Sequence, residues 1–152
     1  MLSRYWVGFF PLNGHFSDEE VKKQCDAIRE RFLSDGEYGE REVIFSYRVK
    51  RYCGSFPTTK QSECNGVLWD TTVWRKAETP EEKEKVPPDY YHVHVAFCSS
   101  KPIRADYFKR CFGDILELNK MAKAFVTDYM KMSGDFRDCM IGYPHEEIIF
   151  EY

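Results

Sequence analysis

The chain has no apolar run of the roughly 18 to 20 residues that a membrane span requires. Its opening stretch MLSRYWVGFF also lacks a long apolar segment followed by a small-residue cleavage site. A protein kept in the cytosol or nucleus, neither secreted nor membrane-bound, is therefore expected. None of the six cysteines, Cys25, Cys53, Cys64, Cys98, Cys111 and Cys139, falls in a C-x-x-C pair, so scattered reduced thiols are expected rather than a disulfide framework or a structural zinc site. There is no internal repeat and no nucleotide-binding G-x-x-x-x-G-K-[ST]. Positive charge is not in excess either. Lys and Arg number 22 against 25 Asp and Glu, a net charge of -3. That balance argues against coating nucleic acid by bulk electrostatics and leaves a local basic site open.

What is present is one domain's worth of chain, 152 residues, 43% hydrophobic and 16% aromatic. RYWVGFFPL (4–12) reads as an opening strand. SDEEVKKQCDAIRERFLSDG begins with a capping box, Ser17 followed by Glu20. Its apolar stripe of Val21, Cys25, Ile28 and Phe32 predicts a helix lying on something, stopped at Gly36. EREVIFSYRVKRY (40–52) alternates, with Val43, Phe45, Tyr47 and Val49 on one face, and predicts a half-buried strand. Residues 53–66 read as turn chemistry, 67–74 as a strand and the charged segment 75–88 as a solvated loop. A strand over 90–98, a short helix over 103–113, a short strand in DILELNK, a helix over 120–134 and a final strand bent at Pro144 complete the pattern. Such interleaving implies an α+β sandwich, a largely antiparallel sheet with helices packed mainly on one face.

Histidine is scarce, four in all, yet two stand side by side in DYYHVHVAF (89–97). Residues two apart on a strand point the same way, so His92 and His94 project together from the face that Val93 and Val95 do not occupy. If the valines anchor the strand to helices, the histidine face is left open. That is the geometry of two ligands to one cation, or of two half-exposed histidines without a function. A metal site normally needs a third protein ligand. If 67–74 pairs antiparallel with 90–97, Asp70 comes opposite His94 on the correct face; Glu42, on a neighbouring strand, is the alternative.

The helix over 120–134 carries Tyr129 on a stripe with Met121, Phe125 and Met132. A tyrosine there is ordinarily core, but the helix ends in the polar cluster Lys131, Gly134 and Asp135. With these residues in view, the chain resembles the HUH endonuclease domain of replication-initiator (Rep) proteins of small circular single-stranded DNA viruses. WVGFFPLN is loosely similar to that family's first motif, HVHV matches its H-u-H strand (u hydrophobic), and YMKMSGDF is similar to its tyrosine helix. The likeness extends over nearly the whole chain. The family's lysine, three residues after the tyrosine, is Met132 here, with Lys131 one place early.

The resemblance implies a metal-dependent nickase and strand transferase for single-stranded DNA at a replication origin, of the rolling-circle type. His92, His94 and a carboxylate would hold a divalent metal, Mg²⁺ or Mn²⁺. Tyr129 would be the nucleophile, forming a covalent 5'-phosphotyrosine, and Lys131 would assist at the phosphate. It further implies that residues 1–152 are the N-terminal part of a longer initiator, or rely on a separate helicase, in the host nucleus or cytoplasm. Bases could stack on Tyr5, Trp6, Phe9, Phe10, Trp69, Trp74, Tyr90 or Tyr91. Arg4, Arg48, Lys50 and Arg51 are candidates for backbone contacts or for a solvated edge. The rival reading is a non-catalytic single-stranded nucleic-acid-binding module of RNA-recognition type, which has the same helix-on-sheet architecture.

Overall fold

A computed structural model describes residues 2–35, 39–113, 117–120 and 145–152. In chain order the elements are β1 (Leu2–Pro11), α1 (Asp18–Leu33), β2 (Arg41–Arg51), β3 (Ser55–Cys64) and β4 (Val67–Lys76). They continue with α2 (Pro80–Glu84), β5 (Tyr90–Arg104), α3 (Ala105–Phe112), β6 (Glu117–Lys120) and β7 (His145–Glu151). The strands form a five-stranded sheet of order β6-β1-β5-β2-β7 and a separate two-stranded sheet, β3-β4. β1 pairs antiparallel with both β5 and β6. The architecture is the expected α+β class. Among the described residues no helix is long and apolar enough to cross a membrane.

The chain divides into two compact units. Among the described residues the first takes those up to Val49, 90–120 and Ile148–Tyr152, and the second takes Lys50–Asp89 and 145–147. β2 and β7 thus each run from one unit into the other.

In the first unit alternation decides the packing. Val43, Phe45 and Tyr47 of β2 and Val93, Val95 and Phe97 of β5 bury one face of the sheet. Val21, Cys25 and Phe32 of α1 and Tyr107 and Phe108 of α3 join them in one core, so both helices cover the same face. Helix α1 starts as its sequence dictates. Ser17 Oγ accepts from the Glu20 amide, and the Glu20 carboxylate accepts from the Ser17 amide. At its other end the Arg41 guanidinium donates to the Phe32 carbonyl and to the Tyr107 hydroxyl.

The second unit departs from expectation twice. Residues 53–66 are not all turn: 55–64 form β3, paired along its whole length with β4. The reason is Asn65-Gly66, both in the left-handed region (φ +52° and +75°), which closes a two-residue hairpin whose twist matches its strands. The expected loop 75–88 contains α2, capped by Thr79, whose Oγ1 accepts from the Glu82 amide, with Pro80 opening the helix. At the root of the hairpin, buried Phe56 lies under the Arg75 guanidinium and the Lys85 ammonium, and Arg75 pairs with Glu82. Tyr52 stacks on Trp74 with ring centroids 5.0 Å apart.

Two predictions follow from the core of the first unit. Phe32 is fully buried, with its ring 4.9 Å from Phe97 and 6.1 Å from Phe108. Phe32→Ala should lower the unfolding free energy by about 3 to 5 kcal/mol in urea titration. Burial also pushes the Cys25 thiol from 9.0 up to about 12 and the Tyr47 phenol from 10.0 up to about 12, Asp18 adding to the second. The unfolded chain loses these protons at their ordinary values while the folded chain keeps them. Stability should therefore hold below about pH 9 and fall as the pH rises toward 12. Tyr47→Phe, which keeps the ring, should flatten part of that fall in unfolding curves recorded from about pH 8 to about pH 11.

Candidate metal centre

Strand β5 carries the two histidines, and the register of β1 frames them. His92 stands opposite Pro11, His94 opposite Phe9 and Ala96 opposite Val7. As the alternation requires, the rings leave the sheet on the side away from Val93, Val95 and Phe97. The expectation that this face is open does not hold, because His92 is 4% and His94 6% exposed. Tyr90 stacks on His92, centroids 5.0 Å apart and planes 25° from parallel, while the Phe9 ring lies 6.4 Å from each imidazole.

The two Nε2 atoms face each other at 3.1 Å. A metal bonds imidazole nitrogen at about 2.0 to 2.1 Å, so two such ligands on adjacent corners of an octahedron or tetrahedron stand roughly 2.8 to 3.4 Å apart. The observed separation fits that edge. It also fits a direct N–H···N hydrogen bond between rings of opposite tautomer.

The third candidate donor is the carboxylate of Glu146, 3% exposed, at the start of β7. Ligand atoms of His92, His94 and Glu146 all lie within 4.8 Å of one another. Two imidazole nitrogens and one carboxylate oxygen are a donor set for a divalent cation, and a buried carboxylate is stable only beside donors or positive charge. On donor chemistry and burial, the three residues fit a metal ion.

The carboxylate is not the one anticipated. Asp70 stands opposite Gln61 in the β3–β4 hairpin and is exposed, because the Asn65-Gly66 turn pairs 67–74 with 55–64 rather than with 90–97. Glu42 is exposed near the start of β2 and does not join the group. No spacing in the sequence marks Glu146. It lies far from the histidines along the chain, and only the strand order brings β7 into their sheet. Tyr129 and Lys131 lie outside the described residues.

The cations weighed as backbone contacts separate. Arg4 is exposed, and Arg51 pairs with Glu147 at 3.3 Å. Lys50 lies over the Tyr52 and Trp74 rings. Arg48 is 0% exposed, so it belongs to no solvated edge. Its Nε donates to Ser46 Oγ at 2.9 Å, and both residues lie on the β2 face away from Phe45 and Tyr47. Of the aromatics, Trp6 and Phe10 are core, and Trp69 is largely exposed.

No family model, curated protein or solved structure matches the chain.

Titration with Mn²⁺ should raise the thermal midpoint of the native protein, with a stabilisation near 2.7 kcal/mol at about a hundred times Kd. His92→Ala, His94→Ala and Glu146→Gln should each abolish the shift, and Asp70→Asn should keep it. A shift that survives Glu146→Gln but not Asp70→Asn would reverse the assignment of the carboxylate.

Proposed function

We propose that the chain is a metal-dependent, sequence-specific nickase and strand transferase for single-stranded DNA, of the HUH endonuclease type, acting at a replication origin in rolling-circle replication. The observation that carries this reading is the pair of imidazole Nε2 atoms 3.1 Å apart, with a buried carboxylate within 4.8 Å. It supplies, from an H-u-H strand, the two-histidine, one-carboxylate donor set that such chemistry needs. A bound Mg²⁺ or Mn²⁺ would act as a Lewis acid toward a non-bridging oxygen of the scissile phosphate and offset the charge developing there.

The chain's own residues have distinct parts in this reading. His92 and His94 present neutral nitrogens from a strand hydrogen-bonded on both sides, and Glu146 adds the negative charge that favours a divalent ion over a monovalent one. Tyr129 is the nucleophile. Its phenolic oxygen gives up its proton and forms a bond to phosphorus as the bond from phosphorus to the 3'-oxygen breaks, and the departing oxygen takes up a proton to become a free 3'-hydroxyl. The 5'-phosphotyrosine preserves the energy of the cleaved bond, so attack by another 3'-hydroxyl joins a strand. Lys131 is proposed to place positive charge near that phosphate. Single-stranded origin DNA is the substrate, a helicase domain or partner is the companion activity, and the host nucleus or cytoplasm is the compartment.

The alternative is a non-catalytic single-stranded nucleic-acid-binding module, which the helix-on-sheet architecture equally suits. A pool of single-stranded oligonucleotides that includes the cognate origin, incubated with Mn²⁺ and resolved on a denaturing gel, separates the two. The nickase reading expects a protease-sensitive covalent adduct that disappears in Tyr129→Phe and in His92→Ala. Binding without any adduct would sink it in favour of the binding module.

A further inference from the structure

The β3–β4 hairpin is sorted by charge in a way its sequence does not display. Directly opposed residues of an antiparallel pair point to the same face. The register therefore places Thr59 with Thr72, Gln61 with Asp70 and Glu63 with Leu68 on one face. Thr58 with Val73, Lys60 with Thr71, Ser62 with Trp69 and Cys64 with Val67 occupy the other. Beyond the root, where Phe56 and Arg75 meet α2, every acid of the hairpin is on the first face. The second has no acid and one cation, Lys60.

That acid-free face also carries the hairpin's most unusual side chain. Trp69 is 45% exposed, one pair from the Asn65-Gly66 tip region and one pair from Lys60. Its neighbours on the face, Lys60 and Thr71, are exposed and Ser62 is half-buried. Thr71 Oγ1 donates to Ser62 Oγ, and Thr58 Oγ1 donates to the Val73 carbonyl. An exposed indole on a paired strand, on the same face as a lysine and hydroxyls and opposite to the carboxylates, offers a π-face to a base and positive charge to a phosphate.

We propose that this face of the hairpin is a binding platform for single-stranded DNA, with Trp69 stacking on a base and Lys60 contacting the backbone. The proposal rests on the single-stranded DNA reading of the preceding subsection but not on its chemistry. The platform holds substrate through contacts that need neither the metal nor a nucleophile. It is complementary to a polyanion with exposed bases, and a duplex, whose bases are stacked on one another, would leave Trp69 without a partner.

The test is fluorescence anisotropy of a labelled, mixed-sequence single-stranded oligonucleotide of about 16 nucleotides with the full chain, in EDTA so that no cleavage intervenes. Trp69→Ala should weaken binding between about five-fold and about a hundred-fold, and Trp69→Phe should recover most of the loss. Lys60→Gln should weaken it and reduce the slope of log affinity against log salt by about 0.7. Leu68→Ala, an exposed apolar truncation on the other face, should leave binding unchanged. Single strands should outcompete a duplex of the same sequence.

Unchanged affinity in Trp69→Ala would overturn the proposal, as would an equal loss in Leu68→Ala, no binding by the native chain, or equal competition by duplex. Loss of self-association in Trp69→Ala, read by sedimentation, with DNA affinity intact, would assign the face to a second copy of this chain and also overturn it. The two proposals fail separately. A covalent adduct with Trp69-independent binding removes the platform and keeps the nickase; Trp69-dependent binding with no adduct does the reverse.

Discussion

The register of β5 is the constraint on which both the core and the candidate metal centre depend. A strand has a side-chain period of two, so a slip of one residue would send Val93, Val95 and Phe97 to the histidine side and His92 and His94 into the helices. Contacts at both ends of the β1–β5 pair hold it against that slip. At one end the Leu12 amide donates to the Tyr91 carbonyl at 2.9 Å, and at the other the Trp6 indole donates to the Ile103 carbonyl at 3.2 Å. Between Ser3 and Tyr5 the pairing shifts, and the strand absorbs the extra length there rather than beneath the histidines. The apolar side of β5 supplies the free energy, and the polar side inherits the position.

That inheritance matters because a buried polar group is expensive unless its partners are already in place. On the histidine side lie two imidazoles, and a carboxylate has its oxygen within 4.8 Å of their nitrogens. Packing fixes the orientation of the rings. Tyr90 lies flat against His92, and Phe9, directly across from His94, approaches both rings. A pair held this way would lose little side-chain freedom on binding an ion.

Much of the first unit was legible because its signals are local. The capping box at Ser17 and Glu20, the stripe Val21, Cys25, Phe32 and the alternation from Val43 to Val49 each lie within one element and need no knowledge of partners. The hairpin was harder, since 55–64 is rich in Thr, Ser, Gln and charge, with Pro57 inside it, and offers no apolar alternation. Its real signal was the dipeptide Asn65-Gly66, which outranks the weak propensity around it. Thr79-Pro80-Glu81-Glu82 likewise spelled a capped helix start inside what looked like solvated charge. The carboxylate beside the histidines was not legible at all. Asp70, Glu42 and Glu146 are alike as residues, and which one reaches His94 is settled by strand order, a property of the whole sheet.

The hairpin and the sheet also differ in what holds them. An isolated two-stranded hairpin is marginal in water, and this one has little core of its own. Its support is concentrated at the root, in buried Phe56 beneath Arg75 and Lys85, the Arg75–Glu82 pair and the Tyr52–Trp74 stack. Toward the tip the backbone is shaped by the turn rather than by burial, so Val67, Leu68 and Trp69 remain exposed without contributing to either core. Three apolar residues kept in water at the end of a well-formed turn add nothing to folding that polar strand formers such as threonine would not add equally. Their positions are therefore free to be set by what the hairpin meets, whereas those of Val93 and Val95 are set by the fold. Side chains at the tip can be changed with small effect on stability, and this lets the two parts of the chain be tested independently.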